Sequence, residues 1–262
     1  MSIQSINRAI EILNLFRENR SQLGLSEIAE LVGLVKTTVF TIVKTLVENG
    51  FLYQDVYSKK YSLGISLFEL GMRQAGNLEI NKVAVNPMHQ LSNDTSSYCR
   101  LAIWDASSVF ITMTVHPQGM DSHTRQLGPR LPAYCTALGK AMLAHMPPDT
   151  INTYLDETEI TAYTDYTIID RNELLNDFQA TRKRAYAISN KEILLHQVGI
   201  GAPVFNEKGS VTGAVSIQLN PEEVNLEKIE KVASRLLRAT FQISSDLGYH
   251  ILPIQPDKRY LL

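Results

Sequence analysis

Two short segments near the start of the chain each place apolar residues on one face of a helix. The first face consists of Ile28, Ala29 and Val32. The second has apolar residues at i, i+3, i+4 and i+7, namely Val39, Ile42, Val43 and Leu46. We expect Ser26 to cap the first helix, Gly33-Leu34 to form the turn, and Gly50 to end the second helix in a left-handed conformation. This order predicts a helix-turn-helix, which presents its second helix to a DNA groove.

The flanking segments extend this pattern. Upstream, an apolar stripe behind Ser5 predicts a supporting helix; it consists of Ile6, Ala9, Ile10, Leu13 and Phe16. Downstream, residues 51–53 and 61–63 are rich in aromatic and aliphatic side chains, as strands are. They predict a β-hairpin, which we call the wing, with Lys59 and Lys60 at its tip.

The face of the second helix opposite its apolar stripe is rich in threonine. Threonine is a mediocre helix former, so helix propensity does not explain this composition, whereas contacts to phosphates and thymine edges do. The open alternatives are the solvated face of a helical hairpin and, for the wing lysines, a solvated turn. The predicted DNA-contacting residues are Ser26, Lys36, Thr37, Thr38, Phe40, Thr41, Lys44, Thr45, Lys59 and Lys60.

The rest of the chain mixes helix and strand patterns. A helix pattern begins at Ile65 and leads into residues 73–77, interpreted as a linker. Further on we expect strands over 98–104 and 109–115, helices over 132–146 and 170–184, a hairpin of 198–205 with 210–219, and a closing helix over 221–248. This order predicts an α+β fold. The predicted divisions are a winged helix-turn-helix at 1–64, a linker helix at 65–80, a second domain at 81–250 and a tail at 251–262.

Composition limits the classes of protein that fit. The 262 residues, 44% of them hydrophobic, suit a small domain joined to a larger one. The net charge is −2, and residues 1–76 carry eight Lys or Arg against seven Asp or Glu. One such module offers little electrostatic affinity, so we expect two or more copies on one DNA site.

The chain also lacks several targeting and metal-binding signals. No apolar run approaches the ~20 residues of a membrane span, and the N-terminus has no signal-peptide pattern. Cys99 and Cys135 lack metal-type spacing, which predicts reduced thiols in a cytoplasmic protein. We expect no metal and no cofactor.

These residues together resemble the IclR-type bacterial transcription regulators, from about Ile6 to Gly248. The matching motifs are Arg8-Ala9 through Leu13, Gly24-Leu25-Ser26 to Gly33-Leu34, Tyr61-Ser62-Leu63-Gly64, Leu131-Pro132 with Thr136-Ala137-Leu138-Gly139-Lys140-Ala141, and Ala202-Pro203-Val204-Phe205. The resemblance implies a winged helix-turn-helix joined by a helix to a GAF-like effector-binding domain. It also implies homodimers that often pair into tetramers.

The resemblance further implies a pocket for a small organic acid. Its implied lining is Met120, Leu131, Ala137, Leu138, Ser189, Gln197, Gly199, Ser216 and Gln218. Ser216 and Gln218 alternate on one predicted strand, so both point to one face. The residues alone leave open that this face is solvated. The chain departs from the family at Phe40-Thr41, where His-Arg is usual, and at His196 and Gly199, where a glycine and a cysteine are usual.

Other candidate chemistry is weaker. One loop collects four polar side chains: His116, Asp121, His123 and Arg125. They lack close metal-ligand spacing, and an anion-binding rim of His123 and Arg125 is favoured. Cys135 is interpreted as a small buried hydrophobe rather than a reactive thiol. Residues 182–184, Arg-Lys-Arg, are interpreted as a solvated helix end.

The function favoured by these patterns and by the resemblance is a ligand-responsive regulator that binds double-stranded operator DNA and controls a catabolic operon. A repressor is expected, although the sequence leaves open whether binding represses or activates. The alternative is an enzyme of small-molecule metabolism with an accessory helix-turn-helix. The sequence offers that enzyme no nucleophile elbow, acid pair, metal cluster or phosphate loop. A winged helix used only for protein contacts is a third, weaker reading.

Overall fold

The chain divides into two units between Asn77 and Leu78. The structure is a computed structural model that describes residues 2–17, 20–105, 107–119 and 129–250. The first unit contains α1 (Gln4–Asn14), α2 (Leu25–Leu31), α3 (Lys36–Glu48), β1 (Leu52–Gln54), β2 (Tyr61–Leu63) and α4 (Ile65–Asn77).

The helix-turn-helix and the wing are confirmed in the first unit. α2 and α3 are joined through Gly33, whose φ of +65° permits the tight turn, and α3 is followed by Gly50 at φ +73°. β1 and β2 pair in antiparallel register, and Leu23 bridges to Tyr61 beside them. The apolar faces meet in a small core, whose fully or almost fully buried members are Ile12, Ile28, Val39, Val43 and Leu52.

Two helix starts in this unit differ from the prediction. α2 begins at Leu25 with Gly24 as its cap, because Glu27 reaches back and accepts a hydrogen bond from the Gly24 N–H at 2.6 Å. Ser26 therefore lies in the first turn, not at the cap. α1 begins at Gln4 rather than behind Ser5, and it buries Ile12, while Ile10 of the predicted stripe is 51% exposed.

The second unit combines helices with a larger sheet. Its elements are α5 (Glu79–Thr95), β3 (Cys99–Asp105), β4 (Ser108–Val115), β5 (Arg130–Leu131), α6 (Ala137–Leu143), α7 (Pro148–Glu157), α8 (Arg171–Arg184), β6 (Ala187–Asn190), β7 (Val198–Phe205), β8 (Val211–Leu219) and α9 (Leu226–Asp246). Six of the described strands form an antiparallel sheet in the order β5-β4-β3-β8-β7-β6. The α+β fold class is confirmed; the label GAF-like stays a prediction.

Helices cover both faces of this sheet. On one face α5 and α9 pack against the sheet through an apolar cluster that includes Met88, Leu101, Ile217 and Leu236. On the other face α6, α7 and α8 form a second cluster that includes Leu138, Tyr154 and Phe178. Strand residues therefore alternate between two buried layers, and polar side chains inside either layer need partners.

The helix predicted over 132–146 is wrong in its first part. The amide groups of Ala133 and Tyr134 donate to the hydroxyl of Tyr154, at 3.2 and 3.1 Å, instead of entering a helix. The helix begins only after Thr136, whose side chain caps it by accepting from the Gly139 amide. α6 is consequently a short helix of seven residues.

The closing and linker helices also differ from expectation. Residues 221–223 form a 3₁₀ turn, and the long helix α9 starts afresh behind Asn225, which caps it by accepting from the Lys228 amide. Residues 73–77 are helical and complete α4; the helical run predicted over 65–80 is interrupted at Leu78. α5, α7, β5 and β6 were not predicted. The helix over 171–184 and the hairpin of β7 and β8 are confirmed.

Candidate functional site

The outer face of α3 is the candidate DNA-reading surface. Val39 and Val43 are fully buried on the opposite face, and Phe40 projects outward with 51% of its surface exposed. The predicted contact residues Lys36, Thr37, Thr41, Lys44 and Thr45 are exposed, and Thr38 is half-buried. The structure thus gathers the α3 residues of the predicted set on the outward side of one helix.

The threonines of α3 are partly satisfied within their own helix. The hydroxyls of Thr41 and Thr45 donate to carbonyl oxygens one turn earlier, at 3.1 and 3.0 Å. Their hydrogens are committed, so they offer methyl groups and oxygen lone pairs outward, which suit thymine methyls and base amino groups better than phosphates. Phosphate groups suit the lysines of this helix better. Lys44 lies 3.7 Å from Glu48 in an exposed ion pair, and a DNA phosphate can replace that carboxylate at little cost.

The tip of the wing is ordered by one aspartate. Asp55 accepts hydrogen bonds from the Tyr57 and Ser58 amides and from the Ser58 hydroxyl, and these bonds lower the pKa of its carboxyl group. Lys59 sits in a left-handed conformation at φ +58°. Lys59 and Lys60 are exposed there, and Ser26 is exposed in the first turn of α2.

A cavity in the second unit lies between the sheet and α6. The space among its lining residues, including the part that is open to solvent, amounts to about 380 Å³. Its lining is Arg100, Leu131, Thr136, Ala137, Leu138, Ser189, Ile193, Leu194, Gln197, Gly199, Ser216 and Gln218. All eight described members of the predicted effector set are among these residues. The ninth, Met120, lies outside the described residues, as do Asp121, His123, Arg125 and the tail 251–262.

The register of the sheet explains why these side chains converge. Ser216 on β8 lies opposite Arg100 on β3, and Gln218, two residues further on, lies opposite Gly199 on β7. Residues two apart on a strand share a face, so these side chains all point toward α6. The Gln218 amide donates to the Ser216 hydroxyl at 2.9 Å, and the Gln197 amide donates to the hydroxyl of Tyr98.

Glycines set the distance between α6 and the sheet. A Cβ on Gly201 would lie 2.3 Å from the carbonyl oxygen of Ala137, so only glycine lets the start of α6 approach β7 this closely. On the other side of the helix start, Ser189 donates to the carbonyl of Cys135 at 2.7 Å. The short helix is thereby pinned over the sheet beside the cavity.

A buried ion cluster holds the middle of α6. Lys140 is fully buried and pairs with Glu192 and, at 2.9 Å, with Asp177; Arg184 lies 3.4 Å from the same aspartate. Burial raises the pKa of Glu192, and the ammonium of Lys140 opposes that shift. Arg184 also donates to the carbonyl of Tyr186, so the interpretation of residues 182–184 as solvated is wrong for Arg184. Glu192 precedes Ile193 and Leu194, and the cluster therefore orders part of the cavity wall.

Sequence reasoning missed Arg100, Thr136, Ile193 and Leu194 as cavity residues. Arg100 could have been found from the sequence, because it is a charged residue between Cys99 and Leu101 in a predicted strand. Neighbouring strand residues point to opposite faces, so Arg100 faces away from those two apolar residues. The other three lie in irregular segments, whose direction no periodicity reveals.

Other candidate chemistry in the second unit has a structural explanation. Burial raises the pKa of the Cys99 and Cys135 thiols to about 12, and both are fully buried, which confirms Cys135 as a packed hydrophobe. Within the described ranges, no group of three or more His, Cys, Asp or Glu side chains is placed to hold a metal ion. None of the helices described is both long and apolar enough to cross a bilayer.

A winged helix-turn-helix followed by an α+β unit with a cavity beside its sheet is the arrangement expected of a ligand-sensing transcription regulator. The family described as "Bacterial transcriptional regulator IclR C-terminal" matches residues 72–245, and the "IclR helix-turn-helix domain" matches residues 5–56. The chain belongs to the IclR family of bacterial transcriptional regulators. Because this is a family of regulators, the reading as an enzyme with an accessory helix-turn-helix is set aside.

Named relatives cover nearly the whole chain. The HTH-type transcriptional regulator XynR of Escherichia coli is 30% identical over 94% of this chain and 98% of its own length. KdgR of the same organism is 29% identical over 96% and 95%. An IclR-type regulator from Alicyclobacillus acidocaldarius superimposes with a TM-score of 0.83 at 28% identity, covering 95% of this chain and all of that one. A homologue from Microbacterium hydrocarbonoxydans, complexed with 4-hydroxybenzoate, shares the fold with a TM-score of 0.80 at 22% identity, over 93% and 99%.

Proposed function

We propose that this regulator binds operator DNA through α3 and the wing, and that a small organic acid in the cavity beside α6 changes its operator affinity. The residues proposed to contact DNA are Ser26, Lys36, Thr37, Thr38, Phe40, Thr41, Lys44, Thr45, Lys59 and Lys60. The proposed division is DNA binding in residues 1–64, a linking segment over 65–80 and effector binding in residues 81–250. The role of repressor of a catabolic operon belongs to the same proposal.

One observation supports the effector site most directly. Eight of the residues that the family resemblance implies for effector binding line the same cavity. The cavity has hydroxyl and amide groups at Ser189, Gln197, Ser216 and Gln218 beside an apolar wall. A few convergent polar groups on an apolar lining are typical of small-molecule sites. That a structurally similar regulator holds 4-hydroxybenzoate supports an organic acid as the class of ligand.

We also propose that the protein acts as a homodimer, or as a tetramer built from dimers. In α4, three apolar side chains at i, i+3 and i+7 lie on one helix face: Ile65, Phe68 and Met72 are 67%, 63% and 59% exposed. A second copy covering this face buries it and supplies the second DNA-binding module that the weak net charge of one module calls for. Such a dimer reads a pseudo-palindromic site with half-sites about one helical turn, or a multiple, apart.

A gel shift with the protein's own upstream DNA, run beside analytical ultracentrifugation, tests this function. The wild type is expected to sediment as a dimer or larger at micromolar concentration and to shift the DNA. Phe68→Glu places a charge on the proposed contact face and is expected to give monomers with much weaker operator binding. A wild-type monomer that retards the DNA tightly contradicts the dimer proposal. Loss of the shift on adding unlabelled unrelated DNA contradicts specific operator binding.

A further inference from the structure

One cation in the cavity has no acidic partner among the described residues. Among the described residues three cationic side chains are buried: Arg100, Lys140 and Arg184. Lys140 and Arg184 both pair with carboxylates. No described carboxylate lies within 4.0 Å of the guanidinium of Arg100, although that residue is only 4% exposed. Its guanidinium lies over the ring of Tyr98, with the Arg100 Cζ 5.2 Å from the ring centroid.

Burying a cation without a paired anion costs folding free energy, and the pKa of Arg100 reflects this cost. Moving a guanidinium out of water without an anion sacrifices solvation that a ring face restores only in part. Burial accordingly lowers the pKa of Arg100, a change that a neighbouring carboxylate would oppose. Proteins usually meet this cost with a paired anion, and the described lining of the cavity supplies none.

The location of Arg100 indicates where that charge belongs. Arg100 lies opposite Ser216 in the β3–β8 register and faces the cavity with Ser216 and Gln218. The remaining cavity wall near the helix is apolar, formed by Leu131, Leu138, Ile193 and Leu194. Its described lining holds one cation and no acidic side chain. A ligand with one carboxylate and a compact, mostly apolar body complements both the charge and the wall.

We infer that Arg100 binds the carboxylate of the effector and so restricts the ligand class to small monocarboxylic acids; this rests on the proposed function of the cavity. The guanidinium forms charge-assisted hydrogen bonds with the carboxylate oxygens. Ser216 and Gln218 flank the same group, and the apolar wall contacts the ligand body. Neutral sugars leave the cation unpaired, and dianions bring a second charge that the described lining does not match.

The competing explanation is that Arg100 is a packing residue held by Tyr98. The two explanations predict opposite effects of Arg100→Met, which keeps the length of the side chain and removes its charge. For a ligand anchor, the melting temperature of the ligand-free protein stays level or rises by about 2–4 °C, because an unpaired buried charge is gone. For a packing residue, the melting temperature falls.

Matched acids and amides test the inference directly. Thermal unfolding of the full chain is followed with 4-hydroxybenzoate, benzoate, lactate and pyruvate, and with the amide of each acid. At least one acid is expected to raise the wild-type melting temperature by about 5–10 °C at 100 times its Kd, while its amide does not. Arg100→Met is expected to weaken binding of that acid by about 10- to 100-fold, and Arg238→Met, at an exposed arginine outside the cavity, to leave it unchanged.

Two further outcomes separate this inference from the proposed function. If Ser216→Val abolishes binding of the protective acid but Arg100→Met does not, the cavity is the effector site and Arg100 is not its anchor. If neither variant affects binding, the ligand binds elsewhere and the proposed function of the cavity fails. An amide as protective as its acid, or a panel in which no acid protects the wild type, overturns the inference.

Discussion

Gly199 on β7 lies directly opposite Gln218 on β8, and the missing side chain at Gly199 leaves the space beside the Gln218 amide open. A Cβ on Gly199 would lie 3.2 Å from the Gln218 Oε1 and 3.1 Å from the Cβ of Ala137. Both contacts are tighter than ordinary van der Waals packing, so a larger side chain at this position must displace Ala137 or Gln218 or extend into the cavity. We therefore expect the residue at position 199 to limit the size of the ligand.

Filling this position is expected to block the cavity. Gly199→Leu should reduce affinity for the protective carboxylate at least about 10-fold, because its side chain takes the volume of the ligand. Gly199→Ala should have a smaller effect. Calorimetry measures the affinity, and circular dichroism checks that each variant remains folded. Wild-type affinity in a folded Gly199→Leu variant would show that the ligand does not use this cavity.

The outward face of α3 is expected to set operator preference without supporting the fold. Thr38→Ala, Phe40→Ala and Thr41→Ala should change the footprinted sequence, since their side chains project away from the core. Lys44→Ala should weaken binding to all sequences alike and reduce the salt slope by about one unit. If the Phe40 and Thr41 variants protect the same site with unchanged affinity, DNA is read by another surface.

The buried face of the same helix supplies the matched structural control. Val43 is fully buried, and Val43→Asp places an unpaired charge in the core of the first unit. We expect the loss of stability to be on the order of 3–5 kcal/mol, measured by urea denaturation. A variant as stable as the wild type would mean that the helix faces are reversed.

The ion cluster beside the cavity should be essential to stability. Lys140→Met leaves Glu192 buried with its main cation removed, and the expected loss is about 3–5 kcal/mol at neutral pH. The pKa of Glu192, already raised by burial, rises further, so this loss shrinks in acid, grows as pH rises from the unfolded pKa of glutamate toward the raised folded value, and levels off above it. Adding Glu192→Gln should restore part of the stability. Denaturation curves at several pH values measure both effects, and a double variant less stable than Lys140→Met would contradict the account.

His145 is expected to make stability fall on mild acidification. Burial lowers the pKa of its imidazole below the ordinary 6.5, and its Nδ1 lies 3.0 Å from the carbonyl oxygen of Ala141. The folded state therefore prefers the neutral ring; its contribution is present above the unfolded pKa and is lost as pH falls from there toward the lowered value. Between about pH 7 and 5 the free energy of unfolding should decline less in His145→Leu than in the wild type. The exposed His89→Gln variant serves as control and should follow the wild type.

Local patterns predicted the elements whose causes are local. The stripe through Val39 and Val43 identified α3, and Asp170 identified the start of α8, where its carboxylate accepts from two amides. The prediction over 132–146 failed because the hydroxyl of Tyr154, about twenty residues away, takes the amides of Ala133 and Tyr134. The pattern of apolar residues along the chain cannot reveal a contact between residues so far apart in sequence.

The cavity, too, could be predicted only in part from local sequence patterns. Strand alternation placed Ser216 and Gln218 on one face, but only the family resemblance indicated that this face lines a pocket. Arg100 was visible as a charge in an apolar strand, but only the folded structure shows that it is buried and that no carboxylate of the described residues pairs with it. The buried state of Lys140 likewise depends on Asp177 and Glu192, which are distant in sequence.

We expect an acid bound in the cavity to change the affinity of the protein for its operator. The most direct measurement is the operator affinity of the full chain, by fluorescence anisotropy, with and without a saturating concentration of the acid that protects it thermally. We expect the acid to change operator affinity by about 5- to 150-fold, and bound operator to change the affinity for the acid by the same factor. In Gly199→Leu the acid should no longer change operator affinity. Identical operator affinity with and without the bound acid would contradict it.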